Sequence, residues 1–298
     1  EQYRLEGQHL WKGPVWSFLG LEGTIPESGD YFVSRLGETE IIVVRGEDET
    51  VRGFVNRCSH RGSLLCLAAR GNVERFTCVY HAWSYDLRGA LSSVAFERGI
   101  RGEGGMPDDF DRSSHGLRPV RIEAFNGLLF GCFDADAPSL FDYLGPEIRP
   151  YIERVLNRPV RVIGENVQKL PCNWKLYVEN VRDSYHASIL HTFFTTFRLN
   201  RLNQTGEIVV NERGGSHVSY SKVEPERDNS DYERDGVRSH RDDYGLEDAS
   251  VIDSVDEFGD GIGLQILSVF PNFVLQQVRN SIALRQVVPT GPHTADLV

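Results

Sequence analysis

Two short segments of the chain each contain one cysteine and one histidine at close spacing. The first reads C-S-H-R-G and includes Cys58 and His60, and the second reads C-V-Y-H-A-W and includes Cys78 and His81. Thiolate and imidazole groups are metal ligands, so two loops that each supply one of both kinds can hold a metal centre. These four residues are the first candidates for chemistry.

Two kinds of centre use two cysteines and two histidines. Structural zinc sites do, but zinc fingers usually group like ligands, with the cysteines in one segment and the histidines in the other. In a Rieske [2Fe–2S] cluster, two cysteines bind one iron and two histidines bind the other. The mixed order found here favours the iron–sulfur cluster over zinc, and it therefore indicates electron transfer.

A second constellation lies in the segment E-N-V-R-D-S-Y-H-A-S-I-L-H. Asp183 and His186 are three positions apart and would share one face of a helix. His191 follows His186 by five positions, which on a regular helix turns the two rings about 140° apart. Both can reach one ion only if the helix ends, bulges or bends near His191. Two such histidines are equally typical of an ordinary surface or core, whereas with a carboxylate they match the triad of non-haem Fe(II) oxygenases.

Taken together, these segments resemble the α subunits of Rieske-type aromatic-ring-hydroxylating oxygenases over nearly the whole chain. The similarity is carried by the two Cys/His motifs, by N-W-K at residues 173–175 and by D-S-Y-H-A-S-I-L-H at residues 183–191. The resemblance implies that Cys58 and Cys78 bind one iron of the cluster and that His60 and His81 bind the other.

The resemblance also assigns roles in the second constellation. It implies that His186 and His191 bind a mononuclear Fe(II), and that Asp183 bridges electrons through hydrogen bonds to His186 and to His81 of the partner subunit. The family's third iron ligand is an acid on a later helix. Because Glu207, Glu212 and Asp242 lack its sequence context, we expect that ligand beyond Val298, in a chain cut at both ends.

Within the family, the similarity is to members that oxidise aromatic carboxylates such as terephthalate, anthranilate and salicylate. Arg285 interrupts the apolar segment from Ile282 to Val288, and a guanidinium on an apolar strand face needs a partner such as a carboxylate, an internal acid or water. In terephthalate-oxidising members the corresponding position is a carboxylate-binding arginine. The side chains that could wall an aromatic pocket, or equally fill an ordinary core, are Phe193, Phe194 and Phe197.

The resemblance implies an O2-dependent cis-dihydroxylation of an aromatic carboxylate, with electrons passing from NADH through a separate reductase or ferredoxin. It also implies a homotrimer, or an α3β3 assembly with a small β subunit. The alternatives are a salicylate-type monohydroxylase and a truncated Rieske electron carrier without oxygen chemistry. The chain has no glycine-rich phosphate-binding loop, so we expect it to bind neither NAD nor flavin itself.

Composition limits the remaining classes. The net charge of −11 over 298 residues argues against a nucleic-acid partner, and no apolar run approaches the length of a membrane span. Three cysteines outside the motifs, Cys66, Cys132 and Cys172, show no disulfide pattern, so we predict a reducing cytoplasm. We expect them to be small buried apolar residues.

The secondary-structure pattern changes along the chain, and we expect an α+β protein. Short Val-, Ile- and Phe-rich strands between residues 31 and 133 predict an all-β Rieske domain over residues 11–136. Helices predicted at residues 139–156 and 173–191, a strand at 160–170 and later strands predict a helix-grip catalytic domain over residues 137–298, incomplete at its C-terminus. We expect Pro146 and Pro150 to break the first helix and residues 1–10 to pack on the second domain.

Overall fold

The chain forms two compact units in a computed structural model that describes residues 1–197, 199–200, 204–223, 230–237, 241, 243–253 and 255–298. Unit 1 contains Glu1–Leu140 and Pro159–Glu165, and unit 2 contains Phe141–Arg158 and Asn166–Val298. Unit 1 is built from strands, whereas unit 2 combines helices with one large sheet. No helix among the described residues has both the length and the hydropathy that crossing a bilayer requires.

Unit 1 begins with a short helix and continues with strands. The elements are α1 (Gln2–His9), β1 (Ser17–Leu21), β2 (Asp30–Leu36), β3 (Thr39–Arg45), β4 (Val51–Val55), β5 (Arg70–Asn72), β6 (Phe76–Thr77), β7 (Ser84–Tyr85), β8 (Leu91–Ser93), β9 (Pro119–Phe125) and β10 (Leu128–Cys132), with 3₁₀ helices at Glu22–Thr24 and Arg112–His115.

The strands of unit 1 form two sheets. Seven make one sheet in the order β1-β10-β9-β4-β3-β2-β5, and β6, β7 and β8 make a smaller one. Side chains alternate across β3, so Ile41 and Val43 pack into one core while Ile42 and Val44 pack into another. The second core also contains the buried Cys58. The candidate cluster loops therefore lie against a packed hydrophobic core, to which Cys58 and Cys78 belong.

Unit 2 contains five helices and seven strands among its described residues. They are α2 (Leu140–Val155), β11 (Gln168–Leu170), α3 (Trp174–Arg182), α4 (Ser184–Leu190), α5 (Thr192–Thr196), β12 (Gly206–Val210), β13 (Ser216–Lys222), α6 (Ser230–Arg234), β14 (Ile262–Val269), β15 (Phe273–Val278), β16 (Ser281–Gly291) and β17 (Thr294–Leu297), with a 3₁₀ helix at Ala249–Ile252.

The strands of unit 2 form one antiparallel sheet in the order β11-β17-β16-β15-β14-β13-β12. On one face, Arg154 of α2 bonds to Gln265 and Gln277 of β14 and β15. Helix α3 packs against β13, β14 and β16, and its Tyr177 lies near Arg285. Arg285 points to the opposite face from the glutamines, because its cross-strand row lies three residues, an odd number, from theirs. A sheet that carries a helix against its face confirms the expected α+β class and helix-grip arrangement.

Three predicted elements differ from the structure. The helix expected over residues 173–191 is divided into α3, α4 and α5, because Asp183 and His191 both have non-helical backbone angles. Helix α2 kinks at Gly145 but continues past Pro150, since its fully buried Ile148 and Ile152 anchor it. Of the predicted strand 160–170 only residues 168–170 pair, and the exposed segment before them does not.

Candidate functional site

The two Cys/His segments fold into turns with the same backbone hydrogen bonds. The Cys58 amide donates to the carbonyl five residues later and its carbonyl accepts from the amide of Gly62, both at 2.8 Å. The Cys78 amide and carbonyl repeat this pattern with Trp83 and Ala82 at 2.8 and 2.9 Å. Gly62 and Ala82 occupy equivalent positions with φ of 71° and 54°. The sequence therefore builds one turn twice.

The turns bring the four predicted ligands together in pairs. The Cys58 and Cys78 side chains are buried, 3% exposed each, and they interact with each other. Burial is the largest single effect on Cys78 and opposes its ionisation, but hydrogen bonds from the backbone amides of Tyr80 and His81 and from the side chains of Cys58 and Ser63 together lower the pKa of its thiol. The His60 and His81 rings have centroids 4.7 Å apart, and burial lowers the pKa of His60. Thiolate and neutral imidazole are the forms that bind metal.

Aromatic side chains surround the paired histidines. The indole of Trp83 stacks on His60 with centroids 4.7 Å apart and an interplanar angle of 12°, while Tyr80 lies 3.9 Å from His81. The outer face of Trp83 contacts His115 edge-on at 5.7 Å. These rings hold the imidazoles in a defined orientation.

A buried tyrosine contacts the sulfur of the first turn. The hydroxyl of Tyr85 lies 3.1 Å from Sγ of Cys58 and 2.9 Å from Oγ of Ser59, and it accepts the Ser59 amide at 3.1 Å. Ser59 in turn donates its hydroxyl proton to the carbonyl of His115 at 2.5 Å. Sequence reasoning missed this group, although Tyr85 follows the second motif by only two residues.

The two turns are fastened differently at their bases. The second turn closes on the hairpin of β6 and β7, where Thr77 pairs with Ser84. The first has no such ladder, and the fully buried Asn56 takes its place. Its Oδ1 accepts the amides of Leu65 and Cys66 at 3.1 and 2.9 Å, and its Nδ2 donates to the Cys66 carbonyl at 2.9 Å. One carboxamide thus closes the loop that carries Cys58.

Cysteines outside the motifs differ in character from Cys58 and Cys78. Burial raises the pKa of Cys66 to about 12, so this thiol stays protonated beside the first turn. Burial also raises the pKa of Cys132. Cys66 and Cys132 are buried, as predicted, whereas Cys172 is half-buried, and all three are free thiols. A protonated buried thiol is a poor ligand, which explains why proximity alone does not add Cys66 to the candidate set.

The breaks between the helices bring the two later histidines side by side. His191 ends α4 with φ −86° and ψ 89°, and this non-helical residue removes the angular separation that a regular helix would impose. The rings of His186 and His191 then lie with centroids 5.2 Å apart and planes at 81°. Burial, followed by the nearby His186, lowers the pKa of His191, which favours the neutral ligand form.

Asp183 is the N-cap of α4. Its Oδ1 accepts the amides of Tyr185 and His186 at 2.9 and 3.2 Å. Its Oδ2 lies 3.2 Å from Nδ1 of His186, without the alignment of a hydrogen bond. The amide of His186 is the largest cause that lowers the pKa of Asp183. The carboxylate therefore stays charged and orients the imidazole while half of its surface remains exposed.

The other nitrogen of His186 has a partner that the sequence did not reveal. Nδ2 of Asn180 lies 3.1 Å from Nε2 of His186. Because an amide nitrogen can only donate, Nε2 accepts and the ring proton belongs on Nδ1, facing Asp183. This tautomer leaves the lone pair on the nitrogen that points away from the carboxylate. A histidine with a carboxylate behind it binds a metal through this nitrogen, so the amide of Asn180 would have to leave Nε2 when a metal binds.

The donor sets fit the implied metal groups. In the described part of the chain, no three cysteine, histidine or acidic side chains converge to hold one ion. In a Rieske cluster each iron binds only two protein ligands, so three side chains need not meet at one ion. The mononuclear iron site would receive two histidines, His186 and His191, from the segment that contains α4. Glu207 accepts a hydrogen bond from Tyr220 on an exposed strand, Glu212 is exposed, and Asp242 lies outside the described residues.

Arg285 lies on β16, opposite Val274 of the neighbouring strand. Its side chain is half-buried and close enough to Tyr177 to lower the pKa of that phenol against the larger, raising effect of burial. Among the residues that the structure describes, none forms a hydrogen bond or ion pair with the guanidinium. The internal salt bridge that could have explained this arginine is therefore not present within the described residues.

The three phenylalanines after His191 form one contiguous aromatic group. Phe194 lies 5.7 Å from the His191 ring, and Phe193 contacts both Phe194 at 6.2 Å and Phe197 at 5.0 Å. Phe193 is 41% exposed, which is unusual for a core side chain of this size. The group forms an apolar wall beside the paired histidines, consistent with contact to a flat ring.

Comparison with protein families matches both units. Residues 15–101 match the family described as Rieske [2Fe-2S] domain, and residues 150–298 match the ring hydroxylating alpha subunit (catalytic domain). Among curated proteins, the terminal oxygenase component subunit alpha 2 of terephthalate 1,2-dioxygenase from Comamonas sp. is 53% identical over 98% of this chain and 71% of its own length. It is a relative along almost the entire sequence.

Two further curated relatives and a solved structure are also components of ring-hydroxylating oxygenases. The large subunit of anthranilate 1,2-dioxygenase from Burkholderia cepacia is 40% identical over 99% of this chain and 70% of its own. The large oxygenase component of salicylate 5-hydroxylase from Ralstonia sp. is 34% identical over 99% and 71%. The crystal structure of naphthalene 1,2-dioxygenase from Rhodococcus sp. bound to indole superposes with a TM-score of 0.78 at 27% identity, covering 99% of this chain and 69% of that one.

Proposed function

Since this chain belongs to the α subunits of Rieske ring-hydroxylating oxygenases, we propose that it oxidises an aromatic carboxylate of the terephthalate type to a cis-dihydrodiol. The family membership confirms the resemblance seen in the motifs, and it establishes an oxygenase with a [2Fe–2S] cluster, a mononuclear iron and O2 as co-substrate. The substrate, the electron donor and the assembly belong to the proposal.

We infer the residues that would hold the two metal groups from the family resemblance, and the pairing of their side chains supports the assignment. Cys58 and Cys78 would bind one cluster iron, His60 and His81 the other, and His186 with His191 would bind the mononuclear iron. When bound, the cluster supplies single electrons and the mononuclear iron activates O2. The protein contributes the cysteine and histidine ligands and the aromatic rings beside them, which together set the potential and the orientation of the ligands.

Asp183 is the proposed connection between the two kinds of centre. Its carboxylate orients His186 with one oxygen and is half-exposed, so it can also accept a hydrogen bond from outside its own segment. We place His81 of the partner subunit there, in a trimer that contains this chain alone or a small β subunit as well. The electrons would come from NADH through a separate reductase, directly or by way of a ferredoxin.

The proposal that the substrate is a carboxylate rests on Arg285. A half-buried guanidinium without a carboxylate partner among the described residues retains its hydrogen-bonding capacity for a ligand. Its planar donors match a carboxylate in a two-point contact that lysine cannot reproduce. The apolar wall of Phe193, Phe194 and Phe197 would pack on the ring. The site thus has one element for each part of an aromatic acid.

The test compares substrates and arginine variants in the reconstituted enzyme. Terephthalate, anthranilate, salicylate and phthalate are supplied with NADH and a surrogate reductase, and the products are identified by mass spectrometry. We expect a dihydrodiol from terephthalate, and we expect Arg285→Ala to raise KM by about 10-fold or more because a charge-assisted hydrogen bond is lost. Arg285→Lys retains the charge and tests the need for the planar group. Unchanged kinetics in Arg285→Ala would refute the anchor.

A monohydroxylase is the second candidate, because a salicylate 5-hydroxylase component is 34% identical along the chain. It would add one hydroxyl group to a salicylate, whereas the proposed reaction retains both oxygen atoms of O2 in the product. Labelling with ¹⁸O2 separates the two by the mass of the product. Incorporation of a single labelled atom with salicylate as the preferred substrate would favour the second candidate.

A further inference from the structure

One face of the unit 2 sheet contains a row of half-exposed side chains. Ser219 of β13 lies directly opposite Ile266 of β14, Ile266 opposite Gln276 of β15, and Gln276 opposite Ala283 of β16. Directly opposed residues of antiparallel strands point to the same face. All four side chains are half-buried, so this row, which we call the floor row, is accessible from one side of the sheet.

The neighbouring row is covered by α3. It runs from His217 through Ser268 and Val274 to Arg285, and its first three side chains are buried. Arg182 at the end of α3 donates to the Gly215 carbonyl at 2.5 Å, next to this row. Because the rows alternate every second residue along each strand, the floor row lies on the same face, just beyond the covered one.

The polar side chains of the floor row have no partners inside the described structure. Neither the hydroxyl of Ser219 nor the carboxamide of Gln276 makes a hydrogen bond to any described residue, and the same holds for Arg285. By contrast, the glutamines on the opposite face, Gln265 and Gln277, are fully buried and bonded to Arg154 and to backbone carbonyls. Unpaired polar groups on one accessible face are typical of a ligand site.

The spacing of these groups defines what would fit. Gln276 is diagonal to Arg285 across β15 and β16, a separation of about 7–8 Å that both long side chains can bridge to reach one carboxylate. Ser219 lies two strands from Gln276, about 10 Å away, with the apolar Ile266 between them. The order along the face is therefore a donor pair, an apolar surface the width of one strand, and a hydroxyl.

We propose that the floor row binds and recognises a para-disubstituted aromatic acid. Gln276 joins Arg285 at the carboxylate, the ring lies over Ile266, and Ser219 donates a hydrogen bond to the acceptor on the opposite ring carbon. This inference rests on the proposed function and narrows its substrate class. A para substituent extends away from the carboxylate toward Ser219, whereas an ortho group, as in anthranilate, stays beside Gln276 and leaves Ser219 without a contact.

Calorimetric binding of terephthalate, benzoate and anthranilate to the complete, iron-loaded oxygenase tests the assignment without turnover. Ser219→Ala is expected to weaken terephthalate by about 10-fold, the value of one hydrogen bond to a charged group, and to leave the other two ligands unchanged. Gln276→Leu is expected to weaken all three. Ser221→Ala, two residues along the same strand and face, serves as the matched control and should alter none.

The outcomes separate this inference from the function on which it rests. Equal terephthalate affinity in Ser219→Ala and the parent protein would overturn the role of Ser219, and equal loss for benzoate would show that the effect is not specific to the para group. If Arg285→Ala weakens all ligands while both floor-row variants bind normally, the carboxylate anchor stands and the floor-row assignment fails. If Arg285→Ala changes nothing, the anchor fails. Visible spectra and thermal midpoints verify that each variant is folded.

Discussion

Replacing Tyr85 by phenylalanine removes the hydroxyl group that lies against the sulfur of Cys58, a proposed cluster ligand. The ring is fully buried, and phenylalanine retains its packing while it removes only the hydroxyl. Burial raises the pKa of Tyr85 to about 12, so the hydroxyl stays protonated at neutral pH. Its oxygen already accepts the Ser59 amide, and the Ser59 hydroxyl proton is committed to the His115 carbonyl. The Tyr85 proton is therefore available to the Cys58 sulfur, 3.1 Å away.

The magnitude follows from the charge on the sulfur. A hydrogen bond to a charged acceptor contributes about 1.5–3 kcal/mol, and it is stronger when the cluster carries the additional electron. If about 1 kcal/mol of that contribution depends on the redox state, its loss lowers the one-electron potential by about 45 mV, since 59 mV corresponds to a factor of ten. The predicted sign is negative because the reduced state loses more stabilisation than the oxidised state.

A redox titration monitored by electron paramagnetic resonance measures this shift in the intact oxygenase. Ser59→Ala is the companion variant, because it removes the competing hydroxyl acceptor and directs the Tyr85 proton toward sulfur, so its potential should stay level or rise. A Tyr85→Phe potential within about 10 mV of the parent value would refute the reasoning. An increase would show that the tyrosine acts through packing or through the Ser59 amide instead.

Three further predictions concern other parts of the structure. Ala82→Gly should raise the free energy of unfolding by about 1 kcal/mol and Gly62→Ala should lower it by a similar amount in denaturant titrations, because both positions have positive φ; equal effects of one sign would contradict this. Asp183→Asn should retain the helix cap and the thermal midpoint but reduce turnover by at least about 10-fold, with the cluster spectrum unchanged; normal turnover would exclude the relay. Arg154 lowers the pKa of Asp260, so the stabilisation from that pair is complete above the ordinary aspartate pKa and is lost as pH falls through the lower native value; urea unfolding between pH 6 and about pH 2 should show a weaker acid dependence in Asp260→Asn.

The predictions from sequence succeeded where the spacing of cysteine and histidine residues is itself enough to indicate the kind of metal site. The mixed order of Cys and His within each loop favoured an iron–sulfur cluster over zinc, and the match to the Rieske [2Fe-2S] domain agrees. The condition stated for His191, that the helix must end or bend there, is met by the end of α4. The break at Asp183 was not expected, because an aspartate three residues before a histidine suits a helix interior and an N-cap equally well.

Other features depend on tertiary packing and could not be predicted. Tyr85 reaches the first turn from the neighbouring hairpin, and Asn56 closes that turn onto residues nine and ten positions later; no periodicity identifies such contacts. The register that places Ser219, Ile266 and Gln276 in one row arises from the pairing of three strands, and a shift of one residue would turn these side chains to the other face. The segment before β11 has strand-like composition, but it remains unpaired because composition does not provide a neighbouring strand.

The different fastening of the two turns has a consequence for durability. The second turn is secured along a ladder of strands, so thermal motion must break several bonds before Cys78 moves. The base of the first turn depends on the carboxamide of Asn56, and the loss of that side chain leaves Cys58 held only by the hydrogen bonds within its turn and by the contacts with Tyr85. On ageing or heating, the [2Fe–2S] cluster should therefore lose its bond to Cys58 before its bond to Cys78. A more stable enzyme would be sought by strengthening the contacts made at Asn56.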